Sequence, residues 1–216
     1  MAGKIITIAQ QKGGSGKTTL AAHLAVAGSL RKSGTSVAIL DTDPQGSLGQ
    51  WYLKRCETLG DENTGLELRT ASAWGAKLEA RNLAKTHDLV IIDTPPKADW
   101  DCRPAMDAAD LVVIPILPSP VDLWATAPTV ETAAKQKANC LVVLNRAVAR
   151  ARLTSESLEA IQKLDAPVAQ SHFGNRVAFA GSMGTGKTVL EIGGAGPARV
   201  EVRALADEVL GLVFNA

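Results

Sequence analysis

A chain of 216 residues with 46% hydrophobic and only 4% aromatic content is long enough to bury a sizeable core, and its composition is that of a soluble α/β protein. Its 23 basic and 22 acidic residues leave a formal charge of +1, which excludes recognition of a polyanion through overall charge; any contact with nucleic acid has to come from a local patch. No stretch approaches the roughly 18 uninterrupted apolar residues of a membrane span, and Met1-Ala2-Gly3-Lys4 runs straight into an apolar segment instead of a secretory signal. The expectation is a cytoplasmic protein with no membrane partner, organised as one domain over residues 1–216. Cys56, Cys102 and Cys140 are scattered without a CxxC pair, which reads as reduced thiols instead of a metal or redox centre.

The first element is the β-branched run Ile5-Ile6-Thr7-Ile8-Ala9, a buried strand. It leads into Gln10-Gln11-Lys12-Gly13-Gly14-Ser15-Gly16-Lys17-Thr18-Thr19, after which Leu20-Ala21-Ala22-His23-Leu24-Ala25 has the pattern of a helix running from about Thr18 to Lys32. Glycines on a strand-to-helix turn let successive backbone N–H groups converge on an anion, and the helix N-terminus adds partial positive charge. Lys17 is placed to reach the β and γ phosphates of a nucleotide and Thr18 to ligate Mg²⁺. Where the common phosphate-loop pattern has its first glycine stands Gln11, followed by a second lysine, Lys12.

Beyond Gly34, Ser36 to Leu40 makes a second strand ending in Asp41-Thr42-Asp43-Pro44-Gln45-Gly46, two carboxylates at the edge where open parallel sheets bind ligands. A helix cap or turn is the other reading of that segment. Trp51 to Leu53 begin a helix, Leu66 to Thr70 form an edge strand, and Trp74 to Lys85 a further helix, with Trp51 and Trp74 read as core or interface residues. Leu89-Val90-Ile91-Ile92-Asp93 is a buried strand whose terminal aspartate can hold a water of Mg²⁺. A helix from Lys97 to Ala109, a strand over Leu111 to Ile116, a helix from Asp122 to Lys137 and a strand over Cys140 to Leu144 follow. Strand and helix in alternation predict right-handed crossovers and a doubly wound, mostly parallel sheet with helices on both faces.

The last of those strands ends in Asn145-Arg146, and an amide that both donates and accepts suits an adenine edge; a plain strand-end turn is the alternative. Lys135, Lys137, Arg146, Arg150 and Arg152 form the most basic stretch, with no carboxylate until Glu156. Thr154 reads as the N-cap of a helix to about Leu164, and Pro167 to Ser171 as a short strand. Gly181-Ser182-Met183-Gly184-Thr185-Gly186-Lys187-Thr188 fits the common phosphate-loop pattern more literally than the N-terminal loop does. No strand precedes it, and Val189 to Ile192 runs into Gly193-Gly194 after barely a turn, so it reads as a loop between short helices. The chain closes with a helix over Ala198 to Val213, its apolar stripe at Val202, Leu205, Ala206, Val209, Leu210 and Val213 packing on the sheet.

The deviant loop Lys12-Gly13-Gly14-Ser15-Gly16-Lys17-Thr18-Thr19, with Asp41-Thr42-Asp43-Pro44-Gln45 and Asp93-Thr94-Pro95-Pro96, resembles the ParA/MinD family of P-loop ATPases, most of all its short ParA-type members. The resemblance implies ATP and Mg²⁺ as cofactors, held by Gly13, Gly14, Ser15, Gly16, Lys17, Thr18 and Thr19, with Asn145 and Arg146 at the base and Thr18 and Asp93 (through water) at the metal. It implies Lys12, Lys17 and Asp41 as the catalytic set: Lys12 crosses to the phosphates of a second subunit in an ATP-dependent homodimer, and Asp41 positions the attacking water. It further implies non-specific DNA as a partner, contacted by Arg176, Arg199 and Arg203, with Arg150 and Arg152 as second choices from composition; solvated surface arginines are the alternative. A ParB-like or cargo adaptor would stimulate hydrolysis, and the ATP form would associate with the nucleoid. Two other classes fit the same frame: a DNA-transfer or replication accessory ATPase that binds a specific site, and a metabolic or reductase enzyme, for which only Cys102 stands in a comparable region.

Overall fold

The computed structural model describes residues 2–31, 34–96, 102–148 and 152–215. Six parallel strands form one sheet in the order β3-β2-β4-β1-β5-β6, with β1 (Lys4–Ile8), β2 (Val37–Asp41), β3 (Glu67–Thr70), β4 (Leu89–Asp93), β5 (Leu111–Ile116) and β6 (Cys140–Leu144). The central strands are short β-branched runs buried on both faces, the pattern that crossover helices on each side of a parallel sheet demand.

Alternate strand residues feed opposite helical layers. Ile6, Ile8, Ile39, Ile91 and Val113 face α1 (Lys17–Ser29), α2 (Ser47–Leu59) and α8 (Gly196–Phe214). On the other side, Ala38, Leu40, Val90 and Ile92 face α3 (Ala76–Leu83), while Val112, Ile114 and Val142 face α4 (Arg103–Ala108), α5 (Pro120–Lys135) and α6 (Arg152–Ile161). The period-two alternation of the strands thus sorts one continuous apolar sequence onto the two sides of the sheet. Among the described residues no helix is long and apolar enough to cross a membrane, and the apolar stripe of α8 is buried against the rest of the chain.

Several local expectations differ from what the fold contains. Pro167 to Ser171 does not add a strand; only the pair Val142 and Val168 bridges there, so the segment lies beside β6 without a ladder of its own. Thr154 lies inside α6 instead of capping it, and its hydroxyl donates to Val148 O at 3.0 Å, tying the helix back to the loop after β6. Trp74 is 85% exposed at a 3₁₀ turn before α3, so it belongs to no core cluster, whereas Trp51 is 4% exposed and packs inside. A helix does end at Ala108, but residues 97–101 of the expected Lys97 to Ala109 helix lie outside the described residues, as do Lys32 and Arg150.

Candidate functional site

The site is built at the C-terminal edge of the sheet. In register, Ile8 of β1 stands beside Asp93 of β4, and Asp93 beside Asp41 of β2, so the glycine loop after β1 and the two strand-ending carboxylates share one level. β6 ends close by: Asn145 Nδ2 donates to Ser15 O at 2.7 Å and its Oδ1 accepts from Arg146 N at 2.9 Å. Residues 130 positions apart in sequence are thus joined at the loop.

The loop itself depends on left-handed glycine backbone. Gly16 caps α1 at φ 91°, and a Cβ there would fall 2.2 Å from Asn145 Nδ2, so neither the backbone nor the space admits a side chain. No side chain caps the N-terminus of α1 and no acidic residue lies in its first turn, which leaves its first N–H groups directed toward the loop. Lys17 is 7% exposed and its Nζ donates to Gln10 O at 3.1 Å across the loop. Burial lowers its pKa, opposed by the carboxylate of Asp93.

Thr18 Oγ1 donates to Asp93 Oδ2 at 2.7 Å. Asp93 is 1% exposed, its Oδ1 has no hydrogen-bond partner among the described residues, and neither has the buried hydroxyl of Ser15. Burial pushes the Asp93 carboxyl up to about 7, with the Thr18 bond pulling it down and Asp41 nearby pushing it further up. A threonine hydroxyl beside a carboxylate with an unsatisfied buried oxygen is a hard-oxygen set suited to Mg²⁺, and a cation there would return Asp93 to its charged form.

Asp41 is buried, with Oδ1 accepting from Asp43 N at 3.0 Å and Oδ2 from Gly49 N at 2.9 Å. Burial raises its pKa, tempered by those two N–H groups. Gly49 is in the first turn of α2, which no residue immediately before it caps, so Asp41 doubles as the cap of that helix. A cleft of about 630 Å³ opens on Asp41, lined also by Asp43, Thr70 and Pro95. A second cleft of about 350 Å³ runs beside the loop, past Gly16 and Thr19 to Asn145, Arg146, Asn175, Arg176 and Phe179.

Lys12 is not part of the cluster around Lys17. Its Nζ lies 2.7 Å from Asp122 Oδ2 in α5, and its side chain keeps 34% of its surface exposed. Of the arginines expected to touch DNA, Arg176 is bonded to Glu201 at 2.5 Å and Arg199 Nη2 donates to Ile192 O at 2.5 Å, so both guanidinium groups already have partners within the chain. Arg203 is exposed on α8. Arg176 keeps 38% of its side chain exposed beside Glu201, and Arg199 is half-buried.

The stretch 181–188 has another job. Its first residues close α7 (Val177–Met183), and the turn that follows offers α2 its carbonyls. Thr58 Oγ1 donates to Thr185 O at 2.9 Å, Arg55 Nη1 to Gly186 O at 3.2 Å and Trp51 Nε1 to Lys187 O at 3.4 Å. Glu191 binds Arg55 through both oxygens, at 2.6 and 3.0 Å, and also accepts from Thr188 N. Burial favours the neutral acid of Glu191, yet the Arg55 and Thr188 bonds hold its pKa below the usual range. His23 of α1 completes the clasp, its Nδ1 donating to Thr19 O at 2.7 Å and its Nε2 accepting from Val189 N at 3.2 Å. Sequence reading missed Asp122, His23 and the Arg55–Glu191 pair; the only local signal was Ser119-Pro120-Val121-Asp122, the pattern of a helix start.

Comparison with known proteins decides the family. The CobQ/CobB/MinD/ParA nucleotide binding domain matches residues 6–189. The chain belongs to that family. Among its relatives, the maintenance of carboxysome distribution protein A of Halothiobacillus neapolitanus is 30% identical over 94% of this chain and 92% of its own length. Among solved structures, the ATP complex of McdA from Cyanothece superposes with a TM-score of 0.80 at 18% identity, covering 97% of both chains. The cobyrinic acid a,c-diamide synthase of Mycobacterium smegmatis, with a bound ATP analogue and magnesium, has a TM-score of 0.76 at 20% identity over 97% of this chain and 94% of that one. The ParA/MinD fold, a parallel sheet with its phosphate loop between β1 and α1, is therefore shared by positioning proteins and a biosynthetic enzyme alike.

Proposed function

We propose that this chain is an ATPase of the ParA type that binds ATP with Mg²⁺, closes into a homodimer, and uses hydrolysis as a switch to position or partition a cargo on DNA. The observation that carries the reading is the separation of two lysines on one loop: Lys17 is buried among the carboxylates at the sheet edge, while Lys12 stands at the outer shoulder with a third of its side chain in solvent. A loop serving only its own nucleotide needs one lysine; the outward one suits phosphates that arrive from a second copy. Likeness to the carboxysome distribution protein over nearly the whole of both chains supports a positioning role over a biosynthetic one.

In this reading the N–H groups of Gly13 to Thr19 cradle the phosphates, Lys17 contacts the β and γ oxygens, and Asn145 and Arg146 line the base end. Thr18 and, through water, Asp93 would hold Mg²⁺, which would supply neutralisation of charge on the phosphate oxygens. Asp41 orients the attacking water, and Lys12 contacts the partner's phosphates and stabilises the same charge. A ParB-like or cargo adaptor accelerates the step. Asp41→Ala is then expected to keep ATP affinity and accumulate a stable ATP-bound dimer, read by gel filtration with light scattering; a monomer that hydrolyses ATP at the normal rate would refute the assignment.

Non-specific DNA binding belongs to the same proposal, with Arg176, Arg199 and Arg203 as its leading contacts; Arg176 keeps 38% of its side chain exposed while bonded to Glu201, and Arg203 is exposed on α8. Dimerisation doubles any such surface by symmetry. Arg203→Glu should weaken binding to all sequences alike and lessen its salt dependence, with ATP binding unchanged. Undiminished ATP-dependent DNA binding in that variant would remove Arg203 from the DNA surface.

A further inference from the structure

We propose that Asp122 is the resting partner of Lys12, a positioning residue from which Lys12 has to be withdrawn when two copies of the chain close on ATP, so that Asp122 sets the ATP concentration at which closure occurs. This rests on the cross-subunit reading of Lys12. The ion pair is asymmetric. Lys12 Nζ lies 2.7 Å from Asp122 Oδ2, yet the lysine side chain is 34% exposed and the aspartate 4%. A cation that already meets water is readily rehydrated when it leaves, whereas a carboxylate that deep cannot follow it and resists losing its partner.

Asp122 is anchored where it is. Ser119 caps α5, its hydroxyl accepting from Asp122 N at 3.2 Å and also bonding the Asp122 carboxylate. The N-terminus of α5 favours a negative charge, so the carboxylate keeps two sources of stabilisation after the lysine has gone. The backbone on the lysine side is anchored as well. Gln10 Nε2 donates to Thr126 Oγ1 at 2.9 Å and to Pro115 O at 3.2 Å, and its Oε1 accepts from Thr129 Oγ1 at 3.1 Å. With Gln10 and α5 both fixed, the member free to move is the Lys12 side chain. Val121 and Trp124, on the same turn as Asp122, are 55% and 71% exposed, which leaves the outward direction open. The contact therefore holds back a cation; it is not required to hold the loop to the helix, because Gln10 already does so.

The test is sedimentation velocity of the full chain with Mg²⁺ and a non-hydrolysable ATP analogue, comparing the native protein with Asp122→Asn. The amide keeps the volume and an acceptor for Ser119 but removes the charge. Half-dimerisation is expected at about tenfold lower analogue concentration, within the usual span of coupling between sites, while the affinity of dilute monomer for the analogue is unchanged. Asp122→Ser, which also removes the charge, should move the threshold the same way and serves if the amide variant does not fold. The shifted threshold at unchanged monomer affinity is what a merely structural role would not give; that the two groups are paired at rest is checked by a thermal-unfolding cycle without nucleotide, in which Lys12→Ala and Asp122→Asn should be non-additive. An unchanged or higher threshold, or strict additivity, overturns the proposal. If the native chain dimerises and Lys12→Ala does not, but Asp122→Asn behaves as native, this inference alone fails; if the native chain stays monomeric at saturating analogue, the dimer reading fails with it.

Discussion

Residues 11–18 and 181–188 look like two attempts at the same motif, and the one that fits the pattern letter for letter is the one that does not build the site. In the first, β1 delivers the chain to the sheet edge and a short loop leads into α1, with Gly14 and Gly16 at positive φ and no side chain capping the helix. In the second, a helix of seven residues precedes and a series of turns follows, and the carbonyls of Thr185, Gly186 and Lys187 are taken up by α2. Gly16 and Gly186 make the same point: both have positive φ, but a Cβ on Gly16 would strike the side chain of Asn145, while one on Gly186 would strike the backbone of Arg55 at 2.3 Å. One glycine permits a ligand cradle and the other permits close packing.

The largest expected effect separates the two stretches outright. Lys17→Ala should weaken ATP binding by at least a hundredfold in calorimetry, whereas Lys187→Ala should leave it within twofold, because Lys187 offers α2 only its backbone carbonyl among its described contacts. Next in size is stability. Arg55→Ala would remove the buried member of the pair and leave the half-buried Glu191 without its cation, and should cost about 3–5 kcal/mol by denaturant unfolding, with the remaining folded protein still binding ATP. A cost under about 1 kcal/mol would mean that the second stretch is not held by this clasp.

The two regions also carry opposite pH dependences. Burial lifts the Asp93 carboxyl from 3.8 to about 7, so the folded state holds a proton the unfolded state lacks; the stability this confers is present at low pH and lost as pH rises through about 7. Burial lowers His23 from 6.5 to about 4, so its contribution is present above pH 6.5 and lost as pH falls toward about 4. Between those limits the slopes oppose each other at up to about 1.4 kcal/mol per pH unit. Thermal unfolding of the nucleotide-free protein should therefore show little pH dependence from these groups between about 4 and 6.5. Asp93→Asn should expose a loss of stability on acidification over the same window; an unchanged profile would contradict the buried state of either group. The smallest effect is Gly181→Ala. Gly181 sits in α7 with nothing within 4 Å of the place an added methyl would take, so alanine should stabilise by about 0.5–1 kcal/mol.

What could be read in the sequence was what neighbouring residues determine together. The strand of Ile5 to Ile8, the glycines and the helix from Lys17 follow one another directly along the chain, and periodicity and glycine placement suffice to join them. Asp41 and Asp93 were legible for the same reason, each being the polar end of a buried run. The contacts that distinguish the two lysines were not. Lys12 meets Asp122 across 110 positions and Arg55 meets Glu191 across 136, and only the tertiary fold brings them together. The partners of Arg176 and Arg199 were not legible either, because nothing local revealed Glu201 or the carbonyls of the turn before α8. Pro167 to Ser171 had strand composition, yet β6 offers it only a single bridge.

The most direct measurement is the mass in solution of Lys12→Ala and Lys17→Ala, each with saturating ATP and Mg²⁺, alongside their ATP affinities. The account predicts that Lys17→Ala neither binds ATP nor dimerises, while Lys12→Ala binds ATP with near-native affinity and stays monomeric. Equal loss of ATP affinity in both, or an ATP-bound dimer of Lys12→Ala, would contradict it.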